Sequence, residues 1–527
     1  MIRALHLIRA LSKTERLILL GAALIFFLSG AIKLVFFIQD NTDLVAARGG
    51  IFREGIIGQP VFINPILPTT DADRDMARLV FSSAYDVAES IKVSEEGKVW
   101  TVRIRENVFW HDGERLTSDD ILFSLDVIQD RESRSHLFSM FQGVTAERIS
   151  ELEVKFNLQT TYAFFAEEHL KNLGIIPEHI FNEIPVQNFI RSIYGLNPIG
   201  SGPYKISSHK KDDKGIITSL ALIKNEAYFE GEPNISEIIF KYYRNEGEII
   251  KAYNLGQIDA FGLSSAESLS LTEDQSIGSL IRHNLYSPAS SRYYALFINQ
   301  SLSPAELKDV KVRKALSMAI DKDVITNSIF GSHAVNLHGP TTLTVKENEE
   351  FDSSILEGLT LNITVPEERF LIRTAEMVKD MWMTAGATVN IIIAPLKQVE
   401  EKILRNTDYE ILLFGNITGS SQDLFSFWHS SRRFYPDQNL ALYQNKKIDA
   451  LLEDYRKEAI DQNKTEKLKI ISDAIAYDYP AIFLYSPDYI YITTPNLHGF
   501  NDRKIINTSA DRFQNSKDWY VKTKRVF

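Results

Sequence analysis

The sequence predicts an α/β protein of several lobes, preceded by one membrane-spanning helix. The chain has 527 residues, and at about 150 residues per domain this length corresponds to three or four lobes. Strand-like runs alternate with amphipathic helices, an order typical of α/β lobes with ligand sites in the clefts between them. One apolar stretch, 17–38, is long enough to cross a bilayer as a helix.

The composition excludes several kinds of protein. Hydrophobic residues make up 44 % and charged residues 24 % of the chain, as in ordinary globular proteins. A formal charge of −11 argues against a nucleic-acid partner held by phosphate contacts. The absence of cysteine excludes disulfides, thiolate metal sites and lipidated cysteine anchors. The chain also contains no H-E-x-x-H pair and no G-x-S-x-G elbow, so no metal, cofactor or catalytic residue is expected.

The apolar stretch LILLGAALIFFLSGAIKLVFFI (17–38) contains one charge, Lys33, which can extend towards the head groups. The preceding segment 1–16 is basic and has a single acid, Glu15. Basic flanks remain in the cytoplasm, so the rest of the chain is expected outside the cell membrane. A cleaved secretory signal is the alternative. Because no A-x-A site follows, we expect an uncleaved single-pass anchor and then a polar linker, 39–48.

Local patterns predict the elements of the first half. Residues 99–104 (VWTVRI) alternate as a strand, with Trp100, Val102 and Ile104 on one face. Thr117 is expected to cap the next helix, with Asp120 as the capping-box partner.

The second half follows the same pattern. Residues 293–299 (YYALFIN) form a strand-like run, and Asp309 is expected to cap the helix after it. Residues 391–394, 411–414 and 481–485 are predicted to be short buried strands.

Four segments in order resemble the family-5 substrate-binding proteins of ABC importers, which include dipeptide-, oligopeptide- and nickel-binding proteins. Residues 87–128 contain the "AES" start, a strand, "HDG" and "L-T-x-x-D". Residues 197–206 (NPIGSGPYKI) are similar to the "NP-x-G-[ST]-GPY" turn, and 309–325 to the "VR-x-A-x-x-x-AID" helix. Residues 427–485 contain FWHSS, KIDALLEDYRKE and AIFLY.

The resemblance implies a two-lobed, periplasmic-binding-protein-like (Venus-flytrap) fold with an extra lobe. The first and extra lobes would occupy 49–290, the second lobe 291–495, and residues 496–527 would return to the first lobe. It also implies a monomeric, non-enzymatic protein that closes on a peptide or similar small solute. The closed form would deliver this ligand to an ABC permease and its ATPase subunits.

Three motifs have structural readings that we prefer to functional ones. Residues 110–113 (WHDG) suit a turn better than a metal site. Residues 200–203 (GSGP) lack the lysine and the helix of a phosphate loop, and are read as a tight turn near the hinge. Arg313 and Asp321 are expected to serve helix pairing or packing rather than a ligand.

The resemblance places the ligand between residues 59–65 (QPVFINP) and 414–428 (FGNITGSSQDLFSFW). In peptide-binding relatives these stretches hold an extended peptide by main-chain hydrogen bonds, which is strand addition. The residues expected at the site are Gln59, Val61, Phe62, Asn64, Phe414, Gly415, Asn416, Thr418, Asp423 and Trp428.

The sequence departs from the family pattern in two places. Peptide binders carry an acid in the second stretch for the peptide's α-amine, but here Thr418 is near that position and no acid lies between Glu410 and Asp423. Asp423 takes over this role, or the ligand lacks a free amine there, or docking differs. The chain is also shorter than its relatives near Tyr85.

Two other functions stay open from the sequence. The same body could act as a membrane-anchored peptide sensor, or as a binding partner that is not coupled to import. An extracellular hydrolase is the third reading, although the sequence contains no catalytic motif.

Overall fold

The computed structural model describes residues 12–94, 97–263, 282–301, 304–345, 352–419, 421–457, 461–503 and 506–526. The helices are α1 Lys13–Asp40, α2 Asp71–Val80, α3 Ser118–Gln129, α4 Phe138–Phe141, α5 Glu178–Phe181, α6 Glu246–Asn254, α7 Val310–Met318, α8 Lys322–Phe330, α9 Arg369–Thr384, α10 Leu396–Gln398, α11 Phe425–Trp428, α12 Lys446–Tyr455 and α13 Asp461–Tyr477.

The strands run through the whole described chain. They are β1 Asp43–Ala47, β2 Ile51–Ile57, β3 Ala88–Ser94, β4 Val99–Ile104, β5 Thr145–Ser150, β6 Glu153–Asn157, β7 Tyr204–Lys211, β8 Ile217–Lys224, β9 Glu237–Tyr243, β10 Ala260–Leu263, β11 Asn284–Tyr286, β12 Arg292–Ile298, β13 Ala334–Asn336, β14 Thr360–Pro366, β15 Thr388–Ala394, β16 Ile411–Ile417, β17 Ala481–Pro487, β18 Ile490–Thr493 and β19 Lys522–Val526.

Three large sheets define the body. The first lobe is built on a seven-stranded sheet in the order β11-β18-β10-β2-β9-β8-β7. The second lobe is built on a six-stranded sheet in the order β13-β17-β12-β16-β14-β15. A four-stranded antiparallel sheet, β3-β4-β6-β5, forms the extra lobe, and its core is continuous with that of the first lobe.

The N-terminal apolar stretch forms α1, which begins with a capping box between Ser12 and Glu15. Within α1, Lys13–Leu34 has the length and hydropathy of a membrane span, and its large apolar side chains are exposed. Part of the predicted linker is not free chain, because β1 pairs antiparallel with β19 at the other end of the sequence. That pairing connects residues too distant in sequence for local patterns to reveal it.

The first-half predictions for β4 and α3 are confirmed. β4 spans the predicted residues and buries Trp100, Val102 and Ile104. Thr117 caps α3 in a capping box with Asp120. The WHDG and GSGP motifs pack on each other, since the His111 ring contacts the Gly202 carbonyl oxygen at 3.1 Å. Burial lowers the pKa of His111 to about 4, as expected of a structural imidazole.

In the second lobe one predicted burial is wrong. Residues 391–394 lie in β15, but Ile392 and Ile393 are about half exposed, because β15 is the edge strand of its sheet. Arg313 is buried, as a packing role requires, and donates to four main-chain carbonyl oxygens, including those of Asp478 and Tyr479.

The chain crosses between the two large sheets twice after β10. One crossing joins β11 to β12, and the other joins β17 to β18. Because β18 pairs with β10 and β11, it belongs to the first lobe. The predicted second lobe, 291–495, includes this strand, because AIFLY and β18 form one apolar run in the sequence. The pairing of β18 instead places it in the first lobe.

Candidate functional site

The two crossings form a hinge at which main-chain and side-chain bonds tie the lobes together. Ser486 donates to the carbonyl oxygens of Ser290 at 3.1 Å and Arg292 at 2.7 Å. Ser287 bonds Asp488 at 2.7 Å and His333 at 2.9 Å. Two short crossings tied at one edge allow the lobes to rotate about them while the opposite side opens.

The first predicted segment, 59–65, is anchored in the first lobe by hydrogen bonds of its main chain and its side chains. The Asp73 carboxylate accepts from the main-chain N–H groups of Val61 and Phe62, at 2.7 and 2.8 Å. Gln59 accepts from the N–H of Ile217 at 2.7 Å. Asn64 is buried and accepts from two N–H groups just after it. These bonds set the path of the segment.

The side chains of this segment differ in exposure. Val61 is about half exposed and can meet a ligand. Phe62 is buried in the core of the first lobe, so its ring has no surface for a ligand in this conformation. The carbonyl oxygens of 59–63 accept no hydrogen bond from any described residue, so this segment can offer main-chain acceptors.

The second predicted segment starts on β16, one edge of which is open. β16 pairs along its full length with β12, and with β14 only at Ile411 and Leu412. Two hydrogen bonds show which residues of β16 bond to β12. Thr418 N–H donates to the Ser291 carbonyl oxygen, and Asn299 N–H donates to the Glu410 carbonyl oxygen.

In an antiparallel ladder, alternate residues direct both main-chain groups towards the same neighbour. The even-numbered residues of β16 therefore bond to β12. Gly415 and Ile417 direct their N–H and C=O groups to the other side, where no described strand pairs with them. Each of these two residues thus presents one donor and one acceptor, as an added strand requires.

Gly415 has a packing reason to be glycine. A Cβ at this position would lie 2.7 to 3.1 Å from three ring atoms of Tyr294 on the neighbouring strand. The Tyr294 ring therefore packs directly on the main chain of Gly415. This close approach needs a residue without a side chain.

The remaining residues of the second segment are mostly structural. Asn416 is buried and donates to the Tyr293 hydroxyl at 3.2 Å. The Thr418 hydroxyl donates to the Ser291 carbonyl at 3.1 Å, at the hinge. Trp428 is fully buried among the rings of Phe297 and Phe483. Of the predicted aromatic residues here, only Phe414 keeps partial exposure.

Asp423 lies where the extra lobe meets the second lobe. The Arg456 guanidinium contacts one of its carboxylate oxygens through two nitrogens, at 2.7 and 2.8 Å. The Tyr162 hydroxyl donates to the same oxygen at 3.2 Å. Arg456 also lies 3.7 Å from the centre of the Phe425 ring. A ligand amine would have to displace this pair, so the geometry disfavours Asp423 as the amine acceptor.

Two adjacent phenylalanines continue the contact between these lobes. Phe164 is buried in the core of the second lobe beside Tyr455, whereas Phe165 is buried in the core of the first and extra lobes. The Glu168 carboxylate accepts from the N–H of Ser421 at 2.9 Å.

Sequence reasoning missed this contact, which we call the lobe latch: Tyr162, Phe164, Glu168, Asp423 and Arg456. Tyr162 and Asp423 are 261 positions apart, and no local pattern links them. Arg456 lies in the quoted KIDALLEDYRKE motif, but a lone arginine after a helix gives no sign of its partner.

The described residues contain no cluster of three or more His, Asp or Glu side chains that could hold a metal ion. The site consists of main-chain donors and acceptors, a latch between lobes and a hinge. This arrangement can bind and enclose a ligand.

Comparison with known proteins agrees with the fold. The curated relative oligopeptide-binding protein AppA of Bacillus subtilis is 23 % identical over 520 residues, covering 90 % of this chain and 92 % of the relative. The solved structure of B. subtilis AppA with a nonapeptide matches with a TM-score of 0.69 and 21 % identity, covering 91 % of this chain and 100 % of that one.

A second solved structure is the ABC transporter substrate-binding protein CtaP of Listeria monocytogenes. It matches with a TM-score of 0.75 and 23 % identity, over 90 % of this chain and 99 % of that one. The family model "Bacterial extracellular solute-binding proteins, family 5 Middle" matches residues 84–435. This chain therefore belongs to family 5 of the bacterial extracellular solute-binding proteins.

Proposed function

We propose that this protein binds peptides between its two lobes and delivers them to an ABC permease and its ATPase subunits. The observation that carries the peptide assignment is the open edge of β16 at Gly415 and Ile417. The main chain of an extended peptide can pair with that edge whatever its side chains are. The relative AppA of B. subtilis is an oligopeptide-binding protein, which supports the same ligand class.

The other predicted segment, 59–65, is proposed to complete the site. Its donors are used within the first lobe, so it offers carbonyl oxygens to the N–H groups of a peptide. We propose that the ligand contacts the main chain of Gly415 and the side chains of Val61, Gln59 and Phe414. Because Asp423 is paired with Arg456, the ligand amine is proposed to lie elsewhere.

The protein is proposed to act as a monomer tethered by α1 as an uncleaved anchor. The exposed apolar side chains of 13–34 support a bilayer around this helix. Import requires the ligand to be released outside the membrane, next to the permease, and a tether keeps the closed form there.

The proposal assigns no catalytic step. The described residues do contain a serine, a histidine and an aspartate in contact, namely Ser287, His333 and Asp488. In a hydrolytic triad the histidine bridges the serine and the acid, but here the serine bridges the other two. The cluster therefore suits a hinge tie better than a nucleophile.

Two measurements test the binding proposal. Mass spectrometry of gently denatured, full-length protein identifies what co-purifies in the cleft, and a peptide is expected. Calorimetry then compares that peptide with versions N-methylated at single amides. Each hydrogen bond is worth about 1 kcal/mol, so methylation of amides facing the open edge should weaken binding about fivefold or more.

The contrary results are distinct. Binding of another solute but of no peptide would contradict the peptide assignment. If the protein binds peptide, but cells lacking it take up labelled peptide as well as cells that contain it, the sensor reading is favoured over import.

A further inference from the structure

The ribbon formed by β1 and β19 is the part of the body next to α1. The helix ends at Asp40, and β1 begins at Asp43. The Arg525 side chain donates to the Thr42 hydroxyl at 2.9 Å, so β19 is tied directly to the junction. Each strand has five residues and spans about 17 Å at about 3.4 Å per residue.

The ribbon carries a basic charge that its neighbours do not neutralise. β19 reads KTKRV, and all five of its residues are exposed. Lys522 and Lys524 form no ion pair with any described residue, and Asp43 is the one acid within β1 and β19. The nearby Arg48 and Lys224, in contrast, both pair with Glu232.

This basic strand is unusual in a chain whose formal charge is −11. The cross-strand register places Lys522 beside Ala47 and Lys524 beside Val45, so both lysines project from one face of the ribbon. Lysine side chains can reach a charged surface while their stems lie along apolar neighbours.

The ribbon is also firmly attached to the first lobe. Gly50, with a φ of +97°, packs against Val521, whose Cγ2 would lie 2.5 Å from a Cβ at that position. Trp519, just before β19, is fully buried in the core of the first lobe. The ribbon and the first lobe are therefore expected to move as one unit.

We propose that the face of the ribbon bearing Lys522 and Lys524 binds anionic phospholipid head groups of the outer leaflet. This inference rests on the proposed role of α1 as an uncleaved anchor. The helix brings the ribbon to the surface, and the charges then hold the first lobe in one orientation towards the membrane. Salt screens such attraction beyond about 10 Å at 0.1 M ionic strength, so it acts only when the ribbon lies close to the membrane.

The test uses the full chain in lipid nanodiscs. Since the protein has no cysteine, Thr523→Cys provides a single site for a nitroxide label in the middle of β19. Discs of phosphatidylcholine are compared with discs of equimolar phosphatidylcholine and phosphatidylglycerol. The label should be less accessible to a water-soluble nickel chelate in the anionic discs, and added salt should reverse this effect.

A charge variant and a matched control complete the design. Lys522→Gln/Lys524→Gln should lower the membrane-bound to free ratio of the ribbon roughly 25-fold, since each basic residue near an anionic surface contributes about fivefold. The control Lys210→Gln/Lys211→Gln removes two exposed lysines at the C-terminal end of β7. Its membrane-bound to free ratio should equal that of the unsubstituted protein.

Equal accessibility in both lipids, or a lipid effect that survives the Lys522/Lys524 change, would overturn the proposal. Peptide binding is measured on the same discs. Loss of the lipid effect with binding intact would refute only this inference, and loss of binding with the lipid effect intact would refute only the proposed function.

Discussion

The Tyr162 hydroxyl donates to the Asp423 carboxylate at 3.2 Å, joining the extra lobe to the second lobe. Arg456 neutralises the same carboxylate, and its carbonyl oxygen accepts from the N–H of Ala163 at 2.7 Å. Burial and the adjacent Asp423 charge raise the pKa of Tyr162 well above its ordinary value, so the phenol remains a donor. A contact made only when the lobes are together contributes to ligand affinity through closure.

Tyr162→Phe should therefore weaken ligand binding without unfolding the protein. Loss of one hydrogen bond of about 1 kcal/mol in the closed form corresponds to about a fivefold higher Kd. Calorimetry measures the Kd, and small-angle scattering should show a more open average shape. Tyr477→Phe, an exposed site on the second lobe, is the matched control; equal Kd values for the two variants would contradict the latch.

Ile417→Pro should impair peptide binding while leaving β16 folded. Proline removes the N–H that faces the open edge, and Ile417 does not use that N–H in the ladder with β12. Proline is tolerated in strands at such positions. The Kd should rise about fivefold or more. Ile417→Ala keeps the N–H and serves as control, so an equal loss in both variants would assign the effect to the side chain.

Arg512→Met should strongly destabilise the first lobe. Arg512 is 3 % exposed and bonds Glu54 at 3.0 Å and Asp75 at 2.8 Å. Removing it leaves two buried carboxylates without their cation, at a cost of about 3–5 kcal/mol. Urea unfolding measures this loss. Arg48→Met, at an exposed pair with Glu232, should cost less than about 1 kcal/mol, and similar losses in both variants would refute the assignment.

The same cluster predicts a pH dependence of stability. Burial raises the pKa of Glu54 from 4.5 to about 7, against the opposing effects of Arg512 and the Tyr491 hydroxyl, with Asp75 adding to the rise. Near pH 6 the folded state thus holds a proton that the unfolded state has lost. The resulting stabilisation is present at low pH and disappears as the pH rises through about 7.

Glu54→Gln removes this titration. The unfolding free energy of the wild type minus that of the variant should therefore fall between about pH 5 and about pH 8. Thermal or urea unfolding across this range measures the difference, and other titrating groups cancel between the two proteins. A difference that stays constant, or rises with pH, would show that Glu54 is ionised in the folded state throughout.

Local physics explains which elements could be predicted. Thr117 and Asp120 form a capping box because both partners lie within one helical turn. The alternation of 99–104 reveals its buried face because side chains change sides at every residue of a strand. The exposure of Ile392 and Ile393 could not be predicted in this way, because β15 becomes an edge only through the order of strands in the sheet.

The sequence by itself determined the capped helices, the alternating strands, the apolar stretch that forms α1 and the family resemblance. Only the tertiary structure decided that β1 pairs with β19 and that the edge of β16 stays open beside Gly415. It also decided that Asp423 forms an ion pair with Arg456 and a hydrogen bond with Tyr162. The reason is physical. Caps and periodicity are short-range properties of the chain, whereas these contacts depend on which distant surfaces the folded lobes bring together.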